Sequence, residues 1–178
     1  MKKNDSETIT RTGRKKGDTL SLRLDPKTKF ILDFIARING QTITSVVERA
    51  IRSYAENVIL PNSAKNWSAF WDVNEGIRKL KLLADADYPS SWEEDELRQF
   101  TLSNWEFFYF DSKGQKPCLA YVEILWPKIE EYFSLWKSTH AQDYWAAGKK
   151  MANDLKSANF SAPMWPRRAS PNDDDIPF

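Results

Sequence analysis

The chain has 178 residues, enough for one ordinary domain or two small ones, and Lys+Arg 26 nearly balance Asp+Glu 25. One cysteine and one histidine exclude an internal disulfide, a multi-ligand zinc site and a Cys/His catalytic pair. The sequence also lacks a membrane-length apolar run, a secretory signal and a glycine-rich phosphate loop. We therefore expect a cytoplasmic protein that is not an enzyme and uses no cofactor or metal.

The charge is distributed unevenly along the chain. Residues 1–54 contain 12 Lys/Arg and 6 Asp/Glu, whereas the remaining residues contain 14 Lys/Arg and 19 Asp/Glu. All eight tryptophans lie at or after Trp67. This split indicates an N-terminal part that faces nucleic acid and a second part with another role. Residues 1–17 are polar and basic, and they are predicted to form a disordered arm.

Alternating side chains follow the arm in the stretch TLSLRLDP, residues 19–26. Its leucines are at positions 20, 22 and 24, and they alternate with Thr19, Ser21 and Arg23. A period of two predicts a half-buried strand. Asp25 before Pro26 predicts the start of a helix, because an acidic cap followed by proline suits a first helical turn.

Two amphipathic helices are predicted next, separated by a turn at Asn39 and Gly40. Either Thr42 or Thr44 can cap the second helix, and Asn57 and Pro61 end it. The apolar stripes consist of Phe30, Ile31, Phe34, Ile35 and Ile38 in the first helix, and of Val46, Val47, Ala50, Ile51, Tyr54 and Val58 in the second.

One strand and two helices bury too little surface to be stable alone, so we expect a second copy to pair its strand with this one. The order of elements resembles the Arc/MetJ-type ribbon-helix-helix DNA-binding family. The resemblance covers residues 18–57, with the LSLRLDP strand, the NGQTIT turn and the SVVERAIRSY helix.

The resemblance implies a role for each matching position. The outward residues of the paired strands, Thr19, Ser21 and Arg23, would contact bases in the major groove, and Arg23 suits the two acceptors of guanine. The start of the second helix, at Thr42, Ile43 and Thr44, would hold a DNA phosphate on its free amides. The arm, with Arg14, Lys15 and Lys16, would add salt-sensitive affinity. The alternative is solvated charge on a dimerisation module.

Residues 62–160 are predicted to form a tryptophan-rich all-α domain of four or five helices. One helical face runs from Trp67 to Leu83 or Ala84, and Ser91 with Glu94 predicts a capping box for a helix that reaches Phe108. Further helices are predicted over residues 118–126, 127–137 and 141–157, with Pro127 either starting or kinking a helix. Most of the tryptophans are expected to fill the core, and the alternative is an exposed surface that binds a partner or stacks on a single nucleic-acid strand.

Residues 161–178 are predicted to be a flexible tail, because residues 161–172 contain three prolines and no period. The tail ends in DDDIPF, comprising Asp173, Asp174, Asp175, Ile176, Pro177 and Phe178. This peptide resembles the terminus of bacterial single-stranded DNA-binding protein (SSB), which implies docking on the proteins that bind that terminus. The acids would meet a basic ridge, while Phe178 fills an apolar pocket with its carboxylate at a basic rim. The alternatives are a charged solubiliser or a DNA mimic that folds back on the basic arm.

We therefore divide the chain into a basic arm (1–17), a ribbon-helix-helix domain (18–60), an all-α domain (62–160) and a tail (161–178). The expected function is that of a dimeric, sequence-specific duplex-DNA-binding protein, either a transcriptional regulator or a DNA-processing accessory factor carried on a mobile element. Its partners would be duplex DNA, a second copy and SSB-tail-binding proteins, at the nucleoid. The alternatives are an antitoxin that binds a toxin through residues 62–160, and a carboxylate-dependent nuclease.

Overall fold

The computed structural model describes residues 21–139 and 141–166, and this part of the chain is mainly helical. The chain divides into two compact units, one ending at Ile51 and the other beginning at Arg52. The α-helices are α1 (Pro26–Ile38), α2 (Ile43–Glu56), α3 (Trp67–Phe70), α4 (Glu75–Leu83), α5 (Trp92–Ser103), α6 (Leu119–Leu125), α7 (Ile129–Thr139) and α8 (Ala146–Ser157). Short 3-10 turns occupy Trp105–Phe107 and Trp126–Lys128.

Within the described residues no strand is assigned, and the β contacts are two isolated bridges, Ile59 with Asn66 and Tyr109 with Pro117. The part of the predicted ribbon that is described, residues 21–24, precedes α1 outside any helix or strand. Because that strand is expected to pair with a second copy, its formation stays a prediction.

The start of α1 is fixed by Asp25. One carboxylate oxygen accepts hydrogen bonds from the amides of Lys27 and Thr28, each at 3.0 Å, and Pro26 occupies the first helical turn. The hydrogen bond from the Thr28 hydroxyl, and then the one from its amide, lower the pKa of Asp25. The predicted helix start is therefore confirmed at the predicted residue.

The turn between α1 and α2 depends on Gly40, whose φ is +59°. The amide of Gly40 donates to the Arg37 carbonyl at 3.2 Å, and the amide of Gln41 donates to the Ala36 carbonyl at 2.9 Å. These two bonds close the end of α1, as in many helices that stop at a left-handed glycine. Thr42 then caps α2, since its hydroxyl accepts from the Ser45 amide at 3.1 Å.

The second unit has a helical core, as the sequence predicted. Its fully buried side chains come from α4, α5, the first 3-10 turn and α6 to α8. They include Leu80, Phe100, Phe107, Phe108, Val122, Leu125, Tyr132, Met151 and Leu155. Cys118 is buried as well, as expected for a small apolar side chain.

The predicted helical face from Trp67 to Leu83 is wrong in one respect, because the chain leaves the helix at residues 71–74. The Asp72 carboxylate accepts from the Asn74 amide at 3.0 Å, and the Asn74 side chain accepts from the Ile77 amide at 3.1 Å. These local hydrogen bonds compete with helical ones, so the helix is interrupted and α4 begins with its own cap at Asn74. As a result, Trp71 is 58% exposed instead of sharing the buried face.

The capping box that begins α5 is confirmed, with Ser91 and Glu94 bonding each other's backbone amides. The helix ends at Ser103 and not at Phe108. Asn104 ends it, because both its amide and its side-chain nitrogen donate to the Phe100 carbonyl, at 3.1 and 2.9 Å. The following 3-10 turn brings both Phe107 and Phe108 into the core.

Two of the remaining predicted helices begin later than predicted. Pro127 lies in the 3-10 turn that precedes α7, and α8 begins at Ala146 instead of residue 141. Before α8, the Asp143 carboxylate accepts from the Trp145 amide at 3.0 Å, which stabilises a turn in place of a helix.

The predicted flexible tail begins too early, because residues 161–166 pack against the second unit. The Tyr121 hydroxyl donates to the Ser161 carbonyl at 2.6 Å, and the Trp165 indole donates to the Trp145 carbonyl at 3.1 Å. The Trp165 ring covers Gly148 so closely that a Cβ there would lie 2.0 Å from a ring atom. The burial of the Trp165 ring therefore orders residues 161–166, although their prolines predicted a flexible segment.

Candidate nucleic-acid interface

The predicted base-contacting residues are only partly described. Ser21 and Arg23 are both exposed in the segment that leads into α1. Thr19 lies outside the described residues, as do the arm residues Arg14, Lys15 and Lys16. What the structure gives is an accessible polar position at 21 and an accessible guanidinium at 23.

The N-terminus of α2 presents the predicted phosphate-contacting residues at the surface. Thr42, Ile43 and Thr44 are all exposed. The Thr42 hydroxyl accepts a hydrogen bond from the Ser45 amide, and the Thr42 carbonyl accepts one from the Val46 amide at 3.1 Å. The amides of Ile43 and Thr44 have no acceptor within the described chain, as is usual for a first helical turn. They are therefore available to an anion.

An open pocket of about 490 Å³ lies beside the start of α2, between the end of α1 and the beginning of α2. Arg37 lines it, together with Asp33, Gly40 and Gln41. The side-chain oxygen of Gln41 is buried without a hydrogen-bond partner among the described residues. The sequence analysis did not single out Arg37. The sequence offered no signal for it, because only the folded turn places the end of α1 beside the start of α2.

The described part of the first unit carries a net positive charge. Residues 21–51 contain Arg23, Lys27, Lys29, Arg37 and Arg49 against three acidic residues. Among the described residues, the ion pairs all lie in the second unit. Exposed cations of this kind interact with DNA phosphates.

The same unit exposes a wide apolar surface. Phe30 is 68% exposed and Phe34 is 56% exposed, although both belong to the predicted core stripe of α1. The other large apolar side chains exposed in this unit are Leu22, Leu24, Ile31, Ile35, Ile38, Ile43 and Ile51. A surface of this kind marks a contact site in a folded protein.

Seven of the eight tryptophans, all of which lie in the second unit, fall into two groups. Trp105, Trp126, Trp136 and Trp165 are partly buried and pack against its core, so half of the eight tryptophans line the core, whereas most were expected to fill it. Trp67, Trp71 and Trp92 are exposed. The Arg78 guanidinium lies 4.9 Å from the centre of the Trp71 ring, so part of the aromatic surface carries a cation.

The described residues hold no group of three His, Cys, Asp or Glu side chains placed to bind a metal ion. None of the helices described is long and apolar enough to cross a bilayer. The tail residues Asp173, Asp174, Asp175, Ile176, Pro177 and Phe178 lie outside the described residues. No protein-family model, curated protein or solved structure shows significant similarity to this chain.

Proposed function

We propose that the chain is a dimeric, sequence-specific duplex-DNA-binding protein of the ribbon-helix-helix type. Its C-terminal segment would dock on proteins that bind the SSB terminus. The observation that carries the proposal is the exposed apolar surface of α1 and α2, next to a segment of alternating leucines and polar residues.

The apolar surface supports dimerisation. Residues 21–51 are too few to bury a core of their own, and Phe30 and Phe34 are more than half exposed in the single chain. A second copy would cover these rings, and its alternating segment would supply the missing strand partner.

The alternation supports a particular DNA contact. If Leu22 and Leu24 turn into the dimer core, then Ser21 and Arg23 turn outwards, because successive side chains of a strand point to opposite faces. A two-stranded ribbon fits the major groove, where an arginine can bond both acceptors of guanine. Thr19 would lie on the same outward face.

Phosphate contacts would fix the ribbon in the groove. The amides at Ile43 and Thr44 are available at the start of α2, and Arg37 lines the adjacent pocket. The arm residues Arg14, Lys15 and Lys16 would add contacts that do not depend on sequence. In this proposal the protein works at the nucleoid, as a transcriptional regulator or as an accessory factor for DNA-processing enzymes.

The DDDIPF peptide supports the second half of the proposal. Three acids followed by Ile176, Pro177 and Phe178 combine charge with an aromatic anchor, and proline limits the entropy lost on docking. A pull-down from bacterial lysate tests this half, with the intact chain compared with a chain lacking Phe178. We expect the chain without Phe178 to lose the SSB-tail-binding proteins. If both chains capture the same proteins, the docking proposal is refuted.

The DNA half is tested by titrating the intact chain into a labelled duplex at several salt concentrations. We expect two chains per specific site and an affinity that falls as salt rises, because phosphate contacts release counterions. A salt-independent affinity, or one chain per site, would contradict the proposal.

A second candidate function is that of an antitoxin that represses its own operon. The exposed Trp67, Trp71 and Trp92 favour it, since exposed tryptophans often anchor protein interfaces. A toxin-like reading frame next to the gene, and a stable complex on co-expression, would support this function. An isolated gene would argue against it.

A further inference from the structure

Residues 109–117 form a tight loop on the second unit. The Tyr109–Pro117 bridge closes it, and the Phe110 amide donates to the Lys116 carbonyl at 2.9 Å. The Asp111 carboxylate accepts hydrogen bonds from three amides farther along the loop, at 3.0 to 3.1 Å. The loop is therefore closed by backbone bonds and by the bonds of the Asp111 side chain to its amides.

Gly114 anchors the tip of this loop to the core. Its φ is +71°, and a Cβ at this position would lie 2.6 Å from the Leu102 side chain. The anchored loop presents Phe110, which is 64% exposed, and the Lys116 ammonium lies 5.5 Å from the centre of that ring. An exposed aromatic beside a cation on a rigid loop is a preformed contact surface.

The charge around the loop is unlike that of the rest of the second unit. Among its described lysines, those without a carboxylate at ion-pair distance are Lys113, Lys116 and Lys156, and the first two belong to this loop. Asp111 is the loop's own acid. The hydrogen bonds from the loop amides, first that of Gln115, lower the pKa of Asp111, and the charge of Lys113 adds to this effect.

We propose that Phe110, Lys113 and Lys116 form a docking site for the acidic segment of the same chain, residues 173–178. The three aspartates would meet the two lysines, and Ile176 and Phe178 would pack against the Phe110 ring. The charges meet at the surface, so the contact would weaken as salt rises.

The distances allow the contact. The Trp165 ring lies 5.1 Å from the Phe107 ring, centre to centre. Phe107 is three residues before Phe110 in the sequence. Three residues of chain span at most about 11 Å, and the seven steps from Pro166 to Asp173 span at most about 25 Å. Because both partners belong to one molecule, the effective concentration of the segment is high.

This docking goes beyond the proposed function and does not depend on DNA binding. It would make the acidic segment available to an outside protein only when that protein displaces it from the loop. The outside protein would then bind more weakly to the intact chain than to the free acidic peptide.

The test uses a fluorescein-labelled peptide of residues 171–178 and full-length proteins at low salt, with binding followed by fluorescence anisotropy. In the unaltered chain the resident segment competes for the loop. In the D173N/D174N/D175N variant it does not, so we expect peptide binding about tenfold tighter or more. Adding K113E and K116E to that variant should abolish binding, and adding F110A should weaken it several-fold.

The matched control is K156E, which reverses the charge of a lysine on α8, outside the loop, and should leave peptide binding unchanged. Equal peptide affinity for the unaltered and triple-asparagine chains would overturn the proposal, and so would binding that survives K113E and K116E. A far-ultraviolet circular dichroism spectrum checks that each variant is folded. Duplex binding is measured separately, so its absence would refute the DNA proposal and leave this result standing.

Discussion

The phenyl rings of Phe30 and Phe34 lie one turn apart on α1, with their centres 6.3 Å apart and their planes inclined by 27°. Both rings stay more than half exposed in the single chain. Two neighbouring exposed phenylalanines are costly in water, and an exposed apolar surface of this kind is typical of a contact site. We infer that a second copy of the chain covers it.

The first prediction follows from this face. Replacing Phe34 by Glu should raise the dimer dissociation constant by about a hundredfold or more, because each copy loses one buried aromatic side chain. Analytical ultracentrifugation measures the change. The control is Lys29→Glu, which also places a glutamate on α1, at a polar position, and changes the charge by two units instead of one. A dimer that persists in the Phe34 variant would show that this face does not hold the two copies together.

A second prediction concerns Gly148 and Trp165. Replacing Gly148 by Ala should destabilise the protein by about 1–3 kcal/mol, because the new methyl group overlaps the Trp165 ring. Urea unfolding of Gly148→Ala, Trp165→Ala and the double variant gives the interaction directly. We expect the cost of the Gly148 change to shrink once Trp165 is absent. Additive costs would mean that residues 161–166 do not pack on α8 in solution.

A third prediction concerns the hydrogen bond from the Tyr132 hydroxyl to the Asp154 carboxylate. This bond, and then the one from Lys128, lower the pKa of Asp154. A lowered pKa in the folded state means that the stabilisation is present above the ordinary aspartate pKa and is lost as the pH falls through the folded-state value. Tyr132→Phe should therefore cost about 1–2 kcal/mol at neutral pH, and less once the pH has fallen below the folded-state pKa of Asp154.

The matched control for that measurement is Tyr121→Phe. The Tyr121 hydroxyl donates to the neutral Ser161 carbonyl, so its removal should cost the same at both pH values. Urea unfolding curves at neutral and acidic pH measure the two variants side by side. If the Tyr132 cost does not change with pH, the hydroxyl does not stabilise the charged carboxylate.

The features that local chemistry determines were predictable from the sequence. Asp25, Thr42 and the Ser91–Glu94 pair cap their helices as expected, because a cap depends on residues within one turn of it. The helical class of the second unit followed from its apolar period.

The features that depend on competition between local and distant contacts were not predictable. Asp72 and Asn74 interrupt a helix whose apolar spacing continues through them, so the exposure of Trp71 was missed. Proline content suggested a tether at residues 161–166, whereas the packing of Trp165 on Gly148 fixes them. The site at the start of α2 was predicted through Thr42, but Arg37 beside it was not, because only the folded turn brings the two together.

The central claim is that Arg23 reads DNA sequence from a ribbon formed by two copies. The most direct test selects a preferred duplex from a random library with the intact chain, then measures the affinities of the intact protein, Arg23→Ala and Lys156→Ala for that duplex and for a scrambled one. We predict that Arg23→Ala loses about 1–3 kcal/mol of preference for the selected duplex, whereas Lys156→Ala keeps it. An unchanged preference in Arg23→Ala, or no preferred duplex for the intact chain, would contradict this claim.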